Sequence, residues 1–589
     1  MSTAILTGPP VPGSSLDGDL RSLGFDVRVA TAPEETAALL AAVPAGRRVA
    51  LVDPRFVGHL HALRLALTDP RFPAAAAPGA LTAQPEARPA LERALAAAPA
   101  GPDALAEALA ADGVAVHRPE LGSLVATVPG DAESRHRARA AVAEVDDEAV
   151  RLRNAVKAHD GFFTTFFISP YSRYIARWCA RRGLTPNQVT TASLLTALLA
   201  AGCAATGDRA GYVAAGLLLL VSFVLDCTDG QLARYSLQYS TMGAWLDATF
   251  DRAKEYSFYA GLALGAARSG DDVWALALGA MVLMTCRHVV DFSFNEANHD
   301  ATANTSPTAA LSDKLDSVGW TVWARRMIVL PIGERWAMIA VLTAATTPRT
   351  VFWALIIGCS FAACYTTAGR VLRSVTRKAR RTDRAARALY DLTDTGPFAE
   401  LAARLAGRRF PLPPLVTAVL GAALLLAVAW TQPVGSGWTV AAAGGYALLS
   451  GCAVARPLKG ALDWTVPPVL RAAEYGVVLL LAARSGVPHA VPAAFGLVAA
   501  VAYHHYDTVY RIRGGTGAPP AWLVRTVGGH EGRTLLVTVL AALTAASGDD
   551  FTKALAALAA AVALVVLVES IRFWVSSGAP AVHDEGETA

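Results

Sequence analysis

Charged residues and cysteines are both scarce in this sequence. Charged side chains account for 17% of the 589 residues and hydrophobic side chains for 53%, whereas soluble domains contain about 25% charged residues. The seven cysteines are scattered without a CxxC pair, which argues against zinc sites and a disulfide framework. No basic stripe with interleaved aromatic residues occurs, so we expect no nucleic-acid partner. The first 15 residues lack a basic start and an apolar core, so we expect no secretory signal there.

The hydrophobic surplus lies in the later part of the chain. A membrane-spanning helix needs about 20 mostly apolar residues, and about twelve apolar runs approach that length. The first six are residues 189–206, 212–226, 243–267, 273–290, 336–346 and 351–372. The others are residues 415–430, 438–455, 466–482, 491–506, 535–546 and 554–568. The sequence therefore predicts a mainly α-helical, polytopic membrane protein with two membrane domains, residues 151–380 and 381–589.

The first 150 residues alternate short apolar runs with helical segments. Strands are predicted at residues 4–6, 26–30, 49–52, 114–116 and 124–128. Helices are predicted at residues 33–42 and 89–98. This alternation favours a soluble α/β domain with a mostly parallel sheet over residues 1–150.

Four aspartates stand where one apolar run ends and another begins: Asp226, Asp229, Asp247 and Asp251. Ionisable residues beside hydrocarbon are costly and mark functional sites. Spacings of three and four residues put each pair on one helix face. Carboxylates brought that close repel one another, and a hard cation such as Mg²⁺ or Mn²⁺ removes the repulsion.

The residues between the two pairs suit a phosphate ligand. Gly230, Ala233 and Gly243 are small enough for a ligand or a helix to approach the backbone. Arg234 offers a fork of donors to phosphate oxygens. Together with a metal, these residues indicate phosphoryl transfer. The alternative is that the aspartates cap helices or pair with lysine at the membrane surface.

The whole stretch resembles the signature of the CDP-alcohol phosphotransferases, D-x-x-D-G-x-x-A-R-x8-G-x3-D-x3-D, and matches it at all eight fixed positions. The resemblance covers about residues 154–373 and implies a six-helix bundle, which commonly forms a homodimer. It also implies a CDP-alcohol donor, an acceptor alcohol whose hydroxyl attacks the β-phosphorus, and release of CMP. Phospholipid or polyol-phosphodiester synthesis is the implied role.

The resemblance assigns roles to individual residues. Asp226, Asp229, Asp247 and Asp251 would hold Mg²⁺ or Mn²⁺ as a pair of ions, and Asp251 would be the general base. Binding of the donor is implied for Gly230, Ala233, Arg234, Ser240, Gly243, Asn187 and Thr190.

The acceptor is less defined by the sequence. Arg287, Arg326 and Arg335 suit an acceptor that carries its own phosphate, and residues 331–335 resemble a segment of enzymes that accept inositol phosphate. Arginines are also expected at cytoplasmic helix ends from topology alone. Both interpretations of these arginines remain open at this point.

Basic residues predict the orientation of the first membrane domain. If six spans alternate, arginine-rich segments such as residues 181–182 and 373–381 fall on one side, which the positive-inside rule makes cytoplasmic. We therefore expect a plasma-membrane protein whose active site and N-terminal domain face the cytoplasm. The amphipathic segment 169–183 is predicted to lie at the lipid interface, with packing on the N-terminal domain as the alternative.

Neither flanking domain is defined by the resemblance. Fused relatives carry a nucleotidyltransferase at the N-terminal position, but the glycine-rich start at residues 7–15 contains prolines that remove amide donors. We expect a degenerate domain, with a bifunctional cytidylyltransferase as the alternative.

The C-terminal domain has no second four-aspartate signature, but it contains Arg471, Glu474, His504, His505, Asp507, Arg511, Arg513, His530, Glu531 and Arg533. These residues indicate either a second ligand site or an ion-paired cytoplasmic loop. A non-catalytic transporter or scaffold is the alternative for the whole protein.

Overall fold

The computed structural model describes residues 2–97, 101–157, 160–301, 323, 327–376, 379–407, 410–544 and 547–576. The chain divides into two compact units. The first contains Met1–Ala158, Ser169–Val189 and Cys227–Gly243, and the second contains His159–Ile168, Thr190–Asp226 and Ala244–Ala589.

The N-terminal part is an α/β domain. Its strands are β1 (Ser2–Leu6), β2 (Phe25–Val29), β3 (Val49–Val52), β4 (Val57–Gly58), β5 (Ala74–Ala77), β6 (Ala80–Ala83), β7 (Val116–His117) and β8 (Ala126–Thr127). Its helices are α1 (Leu16–Ser22), α2 (Pro33–Ala41), α3 (Leu60–Leu67), α4 (Arg88–Ala97), α5 (Pro102–Ala111), α6 (Ala132–Glu144) and α7 (Asp147–Asn154). A 3₁₀ turn at Pro85–Ala87 precedes α4.

The main sheet has six strands in the order β2-β1-β3-β6-β5-β7, and β4 pairs with β8 in a separate ribbon. β1 runs parallel to β2 and β3, and β5 runs parallel to β7, whereas β6 is antiparallel to β3 and β5. Val49 and Leu51 belong to one buried cluster, and Ala50 and Val52 belong to another. The central strand is therefore covered on both faces, as its uninterrupted apolar sequence predicts.

The hairpin of β5 and β6 is absent from the sequence-based prediction. Its residues are mainly alanine, which has little β-propensity, so the local sequence carries no strand signal. Gly79 makes the turn possible because it adopts a φ of +76°. The hairpin adds one antiparallel strand, β6, to a sheet whose other three pairings are parallel, so the sheet is mostly parallel, as predicted.

The rest of the described chain is helical. A π-helical turn at Thr164–Ile168 leads into α8 (Ser169–Arg181), α9 (Pro186–Ala204), α10 (Arg209–Ser236), α11 (Thr241–Arg268), α12 (Trp274–Asn298), α13 (Ile332–Ala345) and α14 (Pro348–Thr376). The later helices are α15 (Asp383–Thr393), α16 (Pro397–Ala406), α17 (Pro414–Thr431), α18 (Gly437–Val454), α19 (Val466–Arg484), α20 (Ala490–Arg513), α21 (Ala521–Val527), α22 (Gly529–Thr544) and α23 (Asp550–Ser576). A 3₁₀ turn at Asp463–Thr465 precedes α19.

All twelve predicted apolar runs coincide with helices, but fewer are long and apolar enough to cross a membrane. Within the described residues seven helical segments qualify, namely α10, α12, α14, α17, α18, the segment Asp463–Arg484 and α23. α13 has 14 residues and α22 has 16, which is short of a full span. The seven segments indicate an integral membrane protein, and the expected six-helix count for the first membrane domain is not established.

Helix α8 has the amphipathic character that its sequence predicts. Tyr171, Tyr174 and Trp178 are between 45% and 52% exposed, whereas Ala176 and Cys179 on the other side are buried. Small residues therefore make the internal contacts, and the aromatic rings face outwards. This arrangement suits the lipid interface.

Candidate metal and nucleotide site

Three of the four signature aspartates form a cluster. Asp226 and Asp229 lie near the end of α10, and Asp247 lies in the second turn of α11. One carboxylate oxygen from each residue lies within 4.8 Å of the other two. Asp229 is buried, with 5% of its surface exposed. An all-oxygen donor set of this charge fits a hard cation such as Mg²⁺ or Mn²⁺.

Asp251 lies beside this cluster and shares a partner with it. The ammonium group of Lys254 donates a hydrogen bond to Asp226 and another, of 3.1 Å, to Oδ1 of Asp251. Lys254 is 1% exposed, so its charge is compensated inside the protein. Lys254 is not among the site residues predicted from the sequence, although Asp247, Asp251 and Lys254 are spaced i, i+4, i+7 along one helix face.

Three of the residues expected to bind the donor lie together. The amide of Gly243 donates a 2.9 Å hydrogen bond to the hydroxyl of Ser240. A side-chain carbon added at Gly243 would lie 2.8 Å from Oδ1 of Asn187 and 2.9 Å from Oγ of Ser240. A larger residue at position 243 would displace the side chains of Asn187 and Ser240, which lie close to the first turn of α11. Thr190 is buried one helical turn after Asn187.

The other expected donor-binding residues lie in the last two turns of α10. Nε of Arg234 donates a 2.6 Å hydrogen bond to the carbonyl oxygen of Ala155. The guanidinium of the same arginine is the nearest group to Gly230, at 3.5 Å from the position of an added side-chain carbon. Ala233 is half-buried. Arg234 is thus held by the backbone through one nitrogen, and its remaining nitrogens lie beside the glycine.

The arginines expected to bind the acceptor differ in their surroundings. Nε of Arg335 lies 3.3 Å from Oε1 of Glu255, and both side chains are almost completely buried. Arg287 donates a hydrogen bond to the carbonyl oxygen of Val329, and its Nε and Nη1 are buried with no hydrogen-bond partner among the described residues. Arg326 lies outside the described residues.

In the segment that resembles an inositol-phosphate motif, residues 331–335, Glu334 has a structural role. Oε1 of Glu334 accepts hydrogen bonds from the amides of Phe162 at 2.6 Å and of Phe163 at 3.4 Å. Glu334 therefore caps the turn that precedes α8. The neighbouring Arg335 pairs with Glu255 of α11.

Most of the polar residues named in the C-terminal domain are ion-paired, and they lie on helices and not in a loop. Asp394, at the end of α15, accepts hydrogen bonds from His504 at 3.0 Å and Arg533 at 2.7 Å. Arg471 and Glu474 pair at 2.8 Å, and each of these residues is at most 4% exposed. The expectation of a cytoplasmic loop is wrong for this group because long-range packing buries it between helices. Asp507 and Arg511 form a second buried pair with Glu569, and Glu531 caps the start of α16.

Comparison with known proteins gives two family matches in this chain. Residues 183–348 match the family CDP-alcohol phosphatidyltransferase, and residues 383–589 match a family of unknown function (DUF5941). An archaetidylinositol phosphate synthase of Pyrococcus horikoshii is 34% identical over 113 residues, which is 19% of this chain and 58% of that protein. A phosphatidylinositol phosphate synthase of Streptomyces avermitilis is 30% identical over 130 residues, 21% of this chain and 51% of that protein.

A bifunctional IPC transferase and DIPP synthase of Aquifex aeolicus is 30% identical over 128 residues, 21% of this chain and 29% of that protein. The chain thus spans 58% or less of the length of each of these three relatives. The family match includes every residue of the aspartate signature. Residues 183–348 are therefore a CDP-alcohol phosphatidyltransferase domain, and this part of the chain belongs to a family of transferases.

Proposed function

We propose that this protein transfers a substituted phosphate group from a CDP-alcohol, such as CDP-diacylglycerol, to an acceptor alcohol and releases CMP. The observation that carries the proposal is the cluster of Asp226, Asp229 and Asp247 within a domain of the transferase family. A scaffold or transporter that only binds nucleotide would need no general base beside the metal ligands, whereas a transferase needs one. Asp251, held by Lys254 next to the cluster, can supply that base.

The divalent metal would be held by Asp226, Asp229 and Asp247, with Asp251 next to them. The chemistry that bound Mg²⁺ or Mn²⁺ supplies is neutralisation of charge on the diphosphate and on departing CMP. Arg234, Asn187 and Ser240 would bind and orient the donor through its phosphates and nucleoside.

Asp251 would act as the general base. A carboxylate oxygen of Asp251 takes the proton of the acceptor hydroxyl as the hydroxyl oxygen forms a bond to the β-phosphorus of the donor. The bond between that phosphorus and the bridging oxygen breaks, and its electron pair leaves with CMP. Lys254 holds Oδ1 of Asp251 and leaves the other oxygen of the carboxylate for the proton.

We propose a phosphorylated acceptor of the inositol phosphate class. Two of the relatives are named as synthases of inositol-lipid phosphates. Buried Arg287 has two guanidinium nitrogens with no partner among the described residues, and a buried donor without a partner is costly unless a ligand supplies one. Arg335 is nearby on α13, and an anionic acceptor would satisfy both arginines.

The proposal also includes the location of the protein, its oligomeric state and the role of its N-terminal domain. The active site would face the cytoplasm of the plasma membrane, since basic residues concentrate on that side of the predicted spans. The protein would form a homodimer, as its resemblance to the CDP-alcohol phosphotransferases implies. The N-terminal domain would be a degenerate, non-catalytic nucleotidyltransferase-like domain, because Pro9, Pro10 and Pro12 lack the amide donors of a phosphate cradle. CTP consumption by the full chain with an alcohol phosphate would contradict that assignment.

The direct test is a product assay on membranes that contain the full chain. Labelled CDP-diacylglycerol is incubated with inositol, inositol phosphate, glycerol or glycerol phosphate, with and without Mg²⁺ or Mn²⁺. We expect CMP and a lipid product only with metal, and with inositol phosphate as the best acceptor. Binding of the nucleotide without CMP release for any acceptor would instead support a non-catalytic role.

A further inference from the structure

A tyrosine of the C-terminal domain contacts the interior of the transferase domain. Tyr506 lies on α20, within the region that matches a family of unknown function. Its hydroxyl forms a hydrogen bond with Nδ1 of His288 on α12. Tyr506 is 4% exposed, so this contact is made in the protein interior.

The contact continues to the helix that carries the proposed base. The guanidinium of Arg252, the residue after Asp251, lies 5.3 Å from the centre of the Tyr506 ring. Nη1 of Arg252 is 3.4 Å from Nδ1 of His288 and 2.9 Å from Oε2 of Glu255. The ring face of Tyr506 thus contacts the guanidinium of Arg252 directly, and the hydroxyl of Tyr506 contacts it indirectly through His288. Both contacts restrict the position of Arg252.

Glu255 extends the network to the proposed acceptor site. Its carboxylate pairs with Arg252 through Oε2 and with Arg335 through Oε1, and Oε1 also accepts a 2.8 Å hydrogen bond from Tyr259. All of these charges are buried, so each depends on its partners for its orientation. A change at Tyr506 therefore reaches Arg335 through His288, Arg252 and Glu255.

Two ring contacts attach the same domains to each other. The indoles of Trp245, two residues before Asp247, and Trp574 on α23 stack with centroids 6.2 Å apart. Trp274, at the start of α12, meets the ring of Phe495 edge-on at 5.7 Å. The C-terminal domain therefore holds both α11 and α12, the two helices that carry Arg252, Glu255 and His288.

We infer that the C-terminal domain is a positioning element of the transferase, in which Tyr506 sets the acceptor arginine Arg335 through His288, Arg252 and Glu255. The inference rests on the proposed function because it assigns the network to acceptor binding. It gives the family of unknown function a role in this chain that requires no ligand of its own. Tyr506 acts through other side chains and is a positioning residue.

The test compares Tyr506→Phe with a matched substitution elsewhere in the C-terminal domain. Tyr446 also has a buried hydroxyl that is hydrogen-bonded to a histidine, Nδ1 of His530 at 2.8 Å, and that donates to the carbonyl oxygen of Leu470 at 3.0 Å, but all three residues lie within that domain. For Tyr506→Phe we expect KM for the phosphorylated acceptor to rise about three- to tenfold, the effect of one hydrogen bond, with the KM of the CDP-alcohol unchanged. For Tyr446→Phe we expect wild-type KM values for both substrates.

A double-mutant cycle keeps the test independent of overall stability. If Tyr506 acts through His288, then His288→Asn should raise the acceptor KM, and the double variant should be no worse than the more impaired single variant. Additive effects, equal effects at Tyr446, or a change in donor KM at Tyr506 would overturn the inference. Absence of CMP release from the wild-type chain would refute the proposed function instead.

Discussion

The ammonium nitrogen of Lys254 lies 3.1 Å from Oδ1 of Asp251, one turn earlier on the same helix. It also binds Asp226 on the preceding helix, so one buried cation joins an aspartate of each pair in the signature. Asp226 and Asp251 would otherwise repel each other in a site of low polarity. Lys254 therefore orders the proposed base beside the cluster of Asp226, Asp229 and Asp247.

The first prediction concerns this lysine. Lys254→Gln removes the charge that holds Asp251, so we expect the turnover number to fall at least about tenfold and the chain to lose stability, since breaking a buried pair costs about 3–5 kcal/mol. Steady-state CMP release and thermal unfolding in detergent measure the two effects. Lys553→Gln is the control, because Lys553 also pairs with two aspartates, Asp549 and Asp550, but is 67% exposed. Equal activity of both variants would contradict the role of Lys254.

The second prediction tests whether Asp251 takes the proton of the acceptor or only helps to bind the donor. Asp251→Asn keeps the size of the side chain but cannot accept the proton, so we expect turnover to fall by about 10²–10⁴. Binding of the CDP-alcohol, measured by calorimetry in the presence of Mg²⁺, should stay close to the wild-type value. Turnover like that of the wild type would remove the assigned role from Asp251.

The third prediction concerns metal dependence. EDTA should abolish CMP release, and excess Mg²⁺ or Mn²⁺ should restore it. Asp229→Asn, in the buried member of the cluster, should raise the metal concentration needed for half-maximal activity at least about tenfold, since it removes one charged oxygen ligand. Asp271→Asn is the control, because Asp271 pairs with Arg349 outside the cluster. An unchanged metal titration for Asp229→Asn would exclude it as a ligand.

The fourth prediction tests the acceptor arginines. Arg335→Lys keeps the charge but loses the planar fork that pairs with Glu255 and would bind phosphate. We expect KM for inositol phosphate to rise about tenfold and KM for CDP-diacylglycerol to stay constant. Arg349→Lys, at an exposed ion pair, should alter neither value. A rise in the donor KM alone would place Arg335 in the donor site.

The fifth prediction concerns pH and the N-terminal domain. His61 in α3 is 3% exposed, and burial, with the charges of Arg151 and Arg64 adding to the effect, lowers its pKa from 6.5 to about 3. Below pH 6.5 His61 binds a proton in the unfolded chain but not in the folded domain. The contribution of His61 to the free energy of unfolding is therefore fully present above about pH 6.5 and is lost as the pH falls towards 3.

Hydrogen exchange of the full chain across Leu60–Leu67, corrected for intrinsic exchange rates, measures this effect. Protection should fall between pH 6.5 and 4.5 in the wild type. His61→Gln should reduce that pH dependence, whereas His136→Gln, at an exposed histidine, should leave it as in the wild type. A wild-type pH dependence in His61→Gln would assign the effect to other groups.

Much of the fold was accessible from the sequence because helices depend on local periodicity and hydrophobicity. Every predicted apolar run coincides with a helix, and the strands at residues 2–6, 25–29 and 49–52 lie where alternating or continuous apolar residues indicate them. The hairpin at residues 74–83 was missed because its alanines form strands only through pairing with distant β3 and β7. Buried ion pairs around Asp394 were missed for the same reason.

The spacing of the four aspartates determined that each pair shares a helix face and that the chain carries a transferase signature. Only the tertiary structure decided that Asp226, Asp229 and Asp247 gather at one point while Asp251 is held by Lys254. It also decided that Tyr506 meets His288, 218 residues away. The periodicity of a helix fixes which residues are neighbours within that helix. Contacts between helices depend on their mutual rotation and packing, and no local pattern specifies those.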